Sequence, residues 1–222
     1  MNVKELQQWL VAKGQPIVVD GKAGPATRAA IVAAFSNPHA PAISLDQVTS
    51  FAVRLRAAVK QLRAVDVVES GGWSFDHQGR PRILFERHIF WRLTAGKYGR
   101  TMFSDPTYGG YSIDSWEKLT RACALDPDAA FASCSWGRFQ VLGTYWHDFG
   151  YASPIDLAYS TVESEAAHYE LFARYIEHFG LQDELALLSS NPADCRPFAK
   201  AYNGAAYDRN RYDVKLAQEM AR

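Results

Sequence analysis

Apolar positions recur at helical spacing through most of the chain. Val3, Leu6, Trp9 and Leu10 form a first stripe that Gly14 ends. Thr27, Ile31 and Phe35 form a second, opened by Pro25 at a first helical turn. Between them, Ile17-Val18-Val19-Asp20-Gly21 is an extended run closed by a tight Asp-Gly turn. The segment Ser36-Asn37-Pro38-His39-Ala40-Pro41-Ala42, prolines among small and polar residues, reads as a linker. A capping box at Ser44-Leu45-Asp46-Gln47 then predicts the start of one long helix. Its stripe runs through Val48, Phe51, Ala52, Leu55, Val59, Leu62 and Val65 to Asp66 and Glu69, and Gly71-Gly72 stops it.

The period changes over residues 74–88. Ser74-Phe75-Asp76, a polar turn at His77-Gln78-Gly79, and Arg82-Ile83-Leu84-Phe85-Glu86 predict a β-hairpin, the one strand pair expected. Residues 96–112, rich in Gly, Tyr and Ser, read as a loop. From Ile113 the pattern is helical, with breaks near Asp126-Pro127, Gly150–Pro154, Asn191-Pro192 and Gly204. The expected fold is therefore mainly α with one small hairpin, organised as a unit at 1–36, a linker at 37–43 and a larger unit at 44–222.

Composition narrows the chemistry. Of 222 residues, 48% are hydrophobic and 22% charged, an ordinary globular balance that excludes a disordered tail or a charge-rich coiled coil. The 24 basic and 24 acidic residues cancel, so no global field draws the chain to nucleic acid or anionic membrane. No apolar run reaches the ~18 residues of a membrane span. The start, Met1-Asn2-Val3-Lys4-Glu5, is polar where a signal peptide is apolar, which predicts cytoplasmic synthesis. Three cysteines, Cys123, Cys134 and Cys195, form no C-x-x-C pair. His168 and His178 share a predicted helix without sharing a face, which disfavours a zinc peptidase. The expectation is that neither metal nor organic cofactor is needed.

One acid stands out. Glu69 continues an apolar stripe at the C-terminal end of its helix, where burial and the negative end of the helix dipole both favour the protonated carboxyl. A carboxyl held protonated near neutral pH is what acid-catalysed glycoside cleavage uses. The plainer alternative is a helix-end acid that caps or pairs with an arginine. Asp66 shares the face and has the same two readings. Glu86, facing opposite to Phe85 on its strand, either positions a water or pairs with Arg80, Arg82 or Arg87. Asp76 reads as a turn residue. Tyr108, Gly109, Gly110 and Tyr111 offer sugar-stacking rings on a loop, or only a loop; Trp136 and Trp146 read as core. Arg54, Arg56, Lys60 and Arg63 give the long helix a basic, solvated face.

Residues 3–35 resemble the small peptidoglycan-binding module, on Val3-Lys4-Glu5-Leu6-Gln7, Trp9-Leu10, Val19-Asp20-Gly21, Gly24-Pro25, Thr27 and the closing Phe35. A unit of this size is shorter than the about 40 residues that usually fold unaided. Residues from 44 to 222 resemble the N-acetylmuramidase domain of phage endolysins, on Val68-Glu69-Ser70 and on Gly79-Arg80-Pro81-Arg82-Ile83-Leu84-Phe85-Glu86-Arg87-His88-Ile89-Phe90. The wider lysozyme and lytic-transglycosylase group carries Glu-Ser, then Gly-x-x-Gln, then Tyr-Asn. Here Glu69-Ser70, Gly137-Arg138-Phe139-Gln140 and Tyr202-Asn203 occur in that order.

The resemblance implies a lysozyme-like, bilobed α+β domain with Glu69 as catalytic acid, Gln140 along the substrate groove, and Tyr202 and Asn203 behind it. Glu86 on its strand is the candidate second acid, and Ser70 beside Glu69 and Tyr108 on its loop are further substrate-binding candidates. It further implies a monomer that acts on peptidoglycan glycan strands after release from the host cytoplasm. Hydrolysis of the β-1,4 bond after N-acetylmuramic acid leads. A lytic transglycosylase forming 1,6-anhydro ends, or a non-catalytic wall-binding protein, are the alternatives.

Overall fold

Twelve α-helices and a three-stranded sheet make up the residues that the computed structural model describes, 1–99, 114–205 and 207–222. Helices α1 (Val3–Ala12) and α2 (Pro25–Ala34) come first, α1 opened by an Asn2–Glu5 capping box. Gln7, fully buried, organises the turn between them. Its Nε2 donates to Asp20 Oδ1 (2.9 Å), Lys22 O (3.1 Å) and Thr27 Oγ1 (3.0 Å), and its Oε1 accepts from Gly21 N (2.7 Å). The Asp-Gly and Thr signals in the sequence are thus the skeleton of this turn.

The long helix expected from Ser44 is two helices, α3 (Leu45–Arg54) and α4 (Val59–Ser70). Arg56 turns the chain into the left-handed region (φ 56°), and Ala57 N closes back on Ala52 O at 2.9 Å. Gln61 then restarts the helix, accepting from Ala58 N (2.7 Å) while its amide reaches Leu188 O (3.1 Å). The apolar stripe runs through this corner without losing phase, and no Gly or Pro marks it. Arg54, exposed as expected, also pairs with Glu170 and Glu177, each at 2.6 Å.

The expected hairpin is present but short. Ser74–Asp76 meets the next segment at one antiparallel bridge, Phe75 to Pro81, flanked by Asp76 N donating to Arg80 O (2.8 Å) and Arg82 N to Ser74 O (3.0 Å). Pro81 stands at a position of the bridge that donates no hydrogen bond, so its missing N–H breaks nothing; beyond it the partner changes. Strand β1 (Ile83–Phe85) instead pairs antiparallel with β2 (Cys134–Trp136), and β2 with β3 (Val141–Leu142). Residues 134–142, read as helical, are therefore the centre of the sheet. Around it stand α5 (Arg87–Leu93), α6 (Ser115–Ala122), α7 (Pro127–Ala132) and α8 (Pro154–Ser160). The remaining helices are α9 (Glu165–Phe179), α10 (Gln182–Ala186), α11 (Pro192–Asn203) and α12 (Tyr212–Ala221). Several start where the sequence breaks predict: Asp126, Ser153 and Asn191 are N-caps, each with its side chain accepting a first-turn N–H.

The N-terminal helices pack into the same core as the rest. Phe35, with no exposed surface, has its ring centroid 5.5 Å from Trp116, 5.5 Å from Phe131, 5.7 Å from Trp136 and 5.6 Å from Tyr159. The segment read as a linker is docked as well. Asn37 N donates to Gly79 O (2.9 Å), Asn37 Nδ2 to Val162 O (3.0 Å), and Glu165 N to Pro41 O (3.0 Å). Any side chain at Gly79 would collide with Pro38, since a Cβ there would lie 2.6 Å from its nitrogen.

This packing predicts that residues 1–36 stabilise the remainder. Phe35→Ala should cost about 3–5 kcal/mol in urea unfolding, and a chain beginning at residue 37 should melt well below the full protein. A truncated chain that melts with the full-length protein would contradict the shared core.

Candidate active site

Helix α4 ends in a turn built from two left-handed glycines, Gly71 (φ 62°) and Gly72 (φ 87°). Gly71 N donates to Val67 O (2.9 Å) and Gly72 N to Ser70 Oγ (3.0 Å). Arg82 Nη1 donates to the Ser70 carbonyl at 2.9 Å, a cation on the negative end of the helix. A cavity of about 260 Å³ opens here, lined by Glu69, Ser70, Arg82, Ile83, Leu84, Gly137 and Gln140. One wall is thus the end of α4, another β1, and the floor the turn between β2 and β3.

That turn is fixed by burial. A Cβ at Gly137 (φ 68°) would fall 2.2 Å from His168 Nδ1. The buried His168 accepts from Arg138 N at 2.8 Å, which places its own proton on Nε2, 2.7 Å from Thr161 O. Burial pushes its pKa down to about 4, so the ring stays a neutral acceptor. Arg138 then spans the interior. Its Nε and Nη2 grip both oxygens of Asp66, with Nη2 at 2.8 Å from Oδ2, and its Nη1 reaches Glu165 (2.8 Å) and Ser74 Oγ (3.0 Å). Tyr169 adds a donor to Asp66 at 2.9 Å. Gln140, left-handed at φ 50°, donates through Nε2 to Gly137 O at 2.7 Å, which holds its amide at the cavity wall.

The two acids of α4 therefore differ in partner. Asp66 is buried on a bidentate guanidinium and serves structure. Glu69 has no cation at hydrogen-bond distance among the described residues; Tyr212 donates to its Oε1. Burial raises the Glu69 pKa to about 7, and the Tyr212 hydrogen bond and the more distant Lys215 only partly oppose it. The result is a carboxyl about half protonated at neutral pH on the wall of an open cavity.

A larger cavity of about 650 Å³ lies beside α1, lined by Glu5, Asp126, Asp128 and Trp146 among others. Glu5 and Asp126 cap helices, and Asp128 pairs with the Met1 amine through Oδ2, its buried Oδ1 having no partner among the described residues. Among the described residues no group of His, Cys, Asp and Glu could hold a metal ion, and the three cysteines are buried free thiols.

Comparison with known proteins gives the family. The N-acetylmuramidase family pattern matches residues 58–222, from the first turn of α4 to the last residue. The chain belongs to the N-acetylmuramidase family. That membership makes it a glycoside hydrolase. Among solved structures it is similar to the crystal structure of Burkholderia AP3 phage endolysin, with 29% identity, a TM-score of 0.68, and 99% of this chain covering 93% of that one. No curated protein sequence gives a match.

Within this muramidase, Glu69, Ser70 and Gln140 line one cavity. The Ser70 hydroxyl is occupied by the backbone, donating to Asp66 O (2.9 Å) and accepting from Gly72 N. Tyr202 lies one layer behind, donating to Phe139 O (2.8 Å) and stacked 6.5 Å from Tyr212. Asn203, exposed, ends α11. Glu86 does not line the cavity. It precedes α5, 3.5 Å from His88, and burial raises its pKa against the pull of His88, Arg87 and Lys118. Tyr108 lies outside the described residues. Sequence reading missed Tyr212, which with Leu216 makes an i, i+4 apolar stripe and so looks like plain core.

Breaking the Asp66–Arg138 pair should cost far more than its net worth, because a buried charge is stranded. Arg138→Met should lose about 3–5 kcal/mol in urea unfolding, and adding Asp66→Asn should restore part of it. A loss below about 1 kcal/mol, the scale of an exposed pair, would show that the pair is not buried in solution.

Proposed function

We propose that the protein is an endolysin that hydrolyses the β-1,4 bond between N-acetylmuramic acid and N-acetylglucosamine in peptidoglycan, with Glu69 as the general acid. The observation that carries this reading is that Glu69 is the one carboxyl lining its cavity, among the described residues, and is held partly protonated near neutral pH. Likeness to a phage endolysin over nearly the whole chain supports the biological setting: synthesis in the host cytoplasm and action on the wall after release.

Protonated Glu69 would give its proton to the glycosidic oxygen as the C–O bond breaks and positive charge spreads over the ring oxygen and anomeric carbon. A retaining double displacement through an enzyme carboxylate needs a second acid about 5–5.5 Å away. No second carboxyl lines this cavity among the described residues. Attack by water completes a hydrolase; internal attack by the sugar's 6-hydroxyl completes a transglycosylase. Among the described residues that leaves water or the sugar's own 6-hydroxyl as the nucleophile, with Glu86 outside the cavity lining.

The raised pKa carries a sign. The folded state binds the Glu69 proton more tightly than the unfolded chain, so this group costs nothing below about pH 4.5. Stability then falls as pH rises from 4.5 through about 7 and levels off above. Glu69→Gln removes that slope, so it should leave the fold intact and be neutral or stabilising at pH 8. It should lower release of reducing ends from purified walls by at least 10²–10⁴-fold, the range typical of a lost general acid. Lysis at the wild-type rate would remove Glu69 from this role, and 1,6-anhydro ends in place of reducing ends would make the enzyme a transglycosylase.

A further inference from the structure

Trp73 is 69% exposed, the most exposed of the described Trp, Tyr and Phe side chains. The other tryptophans have protein partners. Trp116 and Trp136 are buried, Trp9 stacks near Phe35 and Tyr159, and Trp146 packs on the core. Trp91 lies so close to Gly96 that a Cβ there would meet its ring at 2.6 Å. Among the described residues Trp73 has no aromatic or cationic neighbour at stacking distance, and it is no part of the core.

Its backbone, in contrast, is clamped on both sides. Trp73 N donates to Ser70 O (3.3 Å), the carbonyl that also holds Arg82 and belongs to a cavity-lining residue. The next residue, Ser74, is 2% exposed and fixed between Arg138 and Glu165, each at 3.0 Å. A Cβ at Gly71 would sit 3.8 Å from Trp73 Cδ1, so the indole lies over the glycine turn that ends the Glu69 helix. A hydrogen-bonded backbone thus presents a large flat apolar ring to solvent, four residues from the candidate acid and over the glycine turn that follows the cavity-lining Ser70.

We propose that Trp73 is a sugar-binding platform on which a pyranose ring of the glycan strand stacks, forming a subsite beside the Glu69 cavity. This rests on the muramidase reading of that cavity. Pyranose rings carry apolar C–H faces whose hydrogens are slightly positive, and the indole face is apolar and slightly negative. Stacking therefore covers apolar surface on both partners and needs no charge on the sugar, while the fixed backbone lowers the ordering cost on binding.

The test uses full-length Glu69→Gln protein and peptide-free glycan strands of alternating N-acetylglucosamine and N-acetylmuramic acid. Adding strands should shift tryptophan emission to the blue as the exposed indole is covered. With Trp73→Phe added, binding should stay within about threefold but the shift should vanish. With Trp73→Ala added, the dissociation constant should rise about tenfold at an unchanged melting temperature. Unchanged affinity in the Trp73→Ala protein, or a persisting shift in the Trp73→Phe protein, would overturn the subsite. Wild-type protein on the same strands separates the two claims. Release of reducing or anhydro ends beside an undisturbed Trp73→Ala protein removes only the platform, whereas no cleavage removes the muramidase reading and the platform with it.

Discussion

The bidentate grip of Arg138 on Asp66 ties the site to the fold. Arg138 sits in the turn between β2 and β3, Asp66 is one helical turn before Glu69, and the same guanidinium reaches Glu165 at the start of α9 and Ser74 beyond the glycine turn. Glu165 in turn accepts from Ile43 N at 3.0 Å, so the segment joining the N-terminal helices is held by the same charges. A buried ion pair adds little net stability over an apolar replacement. Its value here is positional, because α4 cannot rotate or slide without stranding a charge, and Glu69 is fixed to α4.

Two acids three residues apart on one helix face are given opposite duties by what surrounds them. Asp66 meets a guanidinium and a phenol, and its oxygens are spent. Glu69 meets a phenol alone and opens onto a cavity. The single hydrogen bond from Tyr212 orients the carboxyl without supplying the positive charge that would hold it ionised. An apolar wall of Ile83 and Leu84 faces it across the cavity, supplied by the one strand that joins the sheet to the site.

Much of this was legible in the residues. The stripe from Leu62 through Val65 to Glu69, the Gly71-Gly72 stop and the order of the three short motifs pointed to Glu69, Ser70 and Gln140, and these three line one cavity. What failed was non-local or unmarked. The corner at Arg56 uses a left-handed arginine, which no composition signal announces. The partner of β1 lies some fifty residues away at 134–136, in a stretch whose short apolar run fits a buried strand or a helix equally. The prolines of 36–42 mark a boundary in the sequence, and what they do not announce is that Phe35, just before it, closes an aromatic cluster with Trp116, Phe131, Trp136 and Tyr159. Tyr212, separated from Glu69 by 143 positions, looked like any buried stripe residue.

The central claim is that the fold keeps the Glu69 carboxyl protonated into the neutral range. Carbon-13 NMR of the side-chain carboxyl, assigned by its loss in Glu69→Gln and titrated from pH 3 to pH 9, measures this directly. The account predicts a midpoint near 7, well above the ordinary 4.5. A midpoint at or below 4.5 would mean that the site holds an ionised carboxylate at neutral pH, and the general-acid account would be wrong.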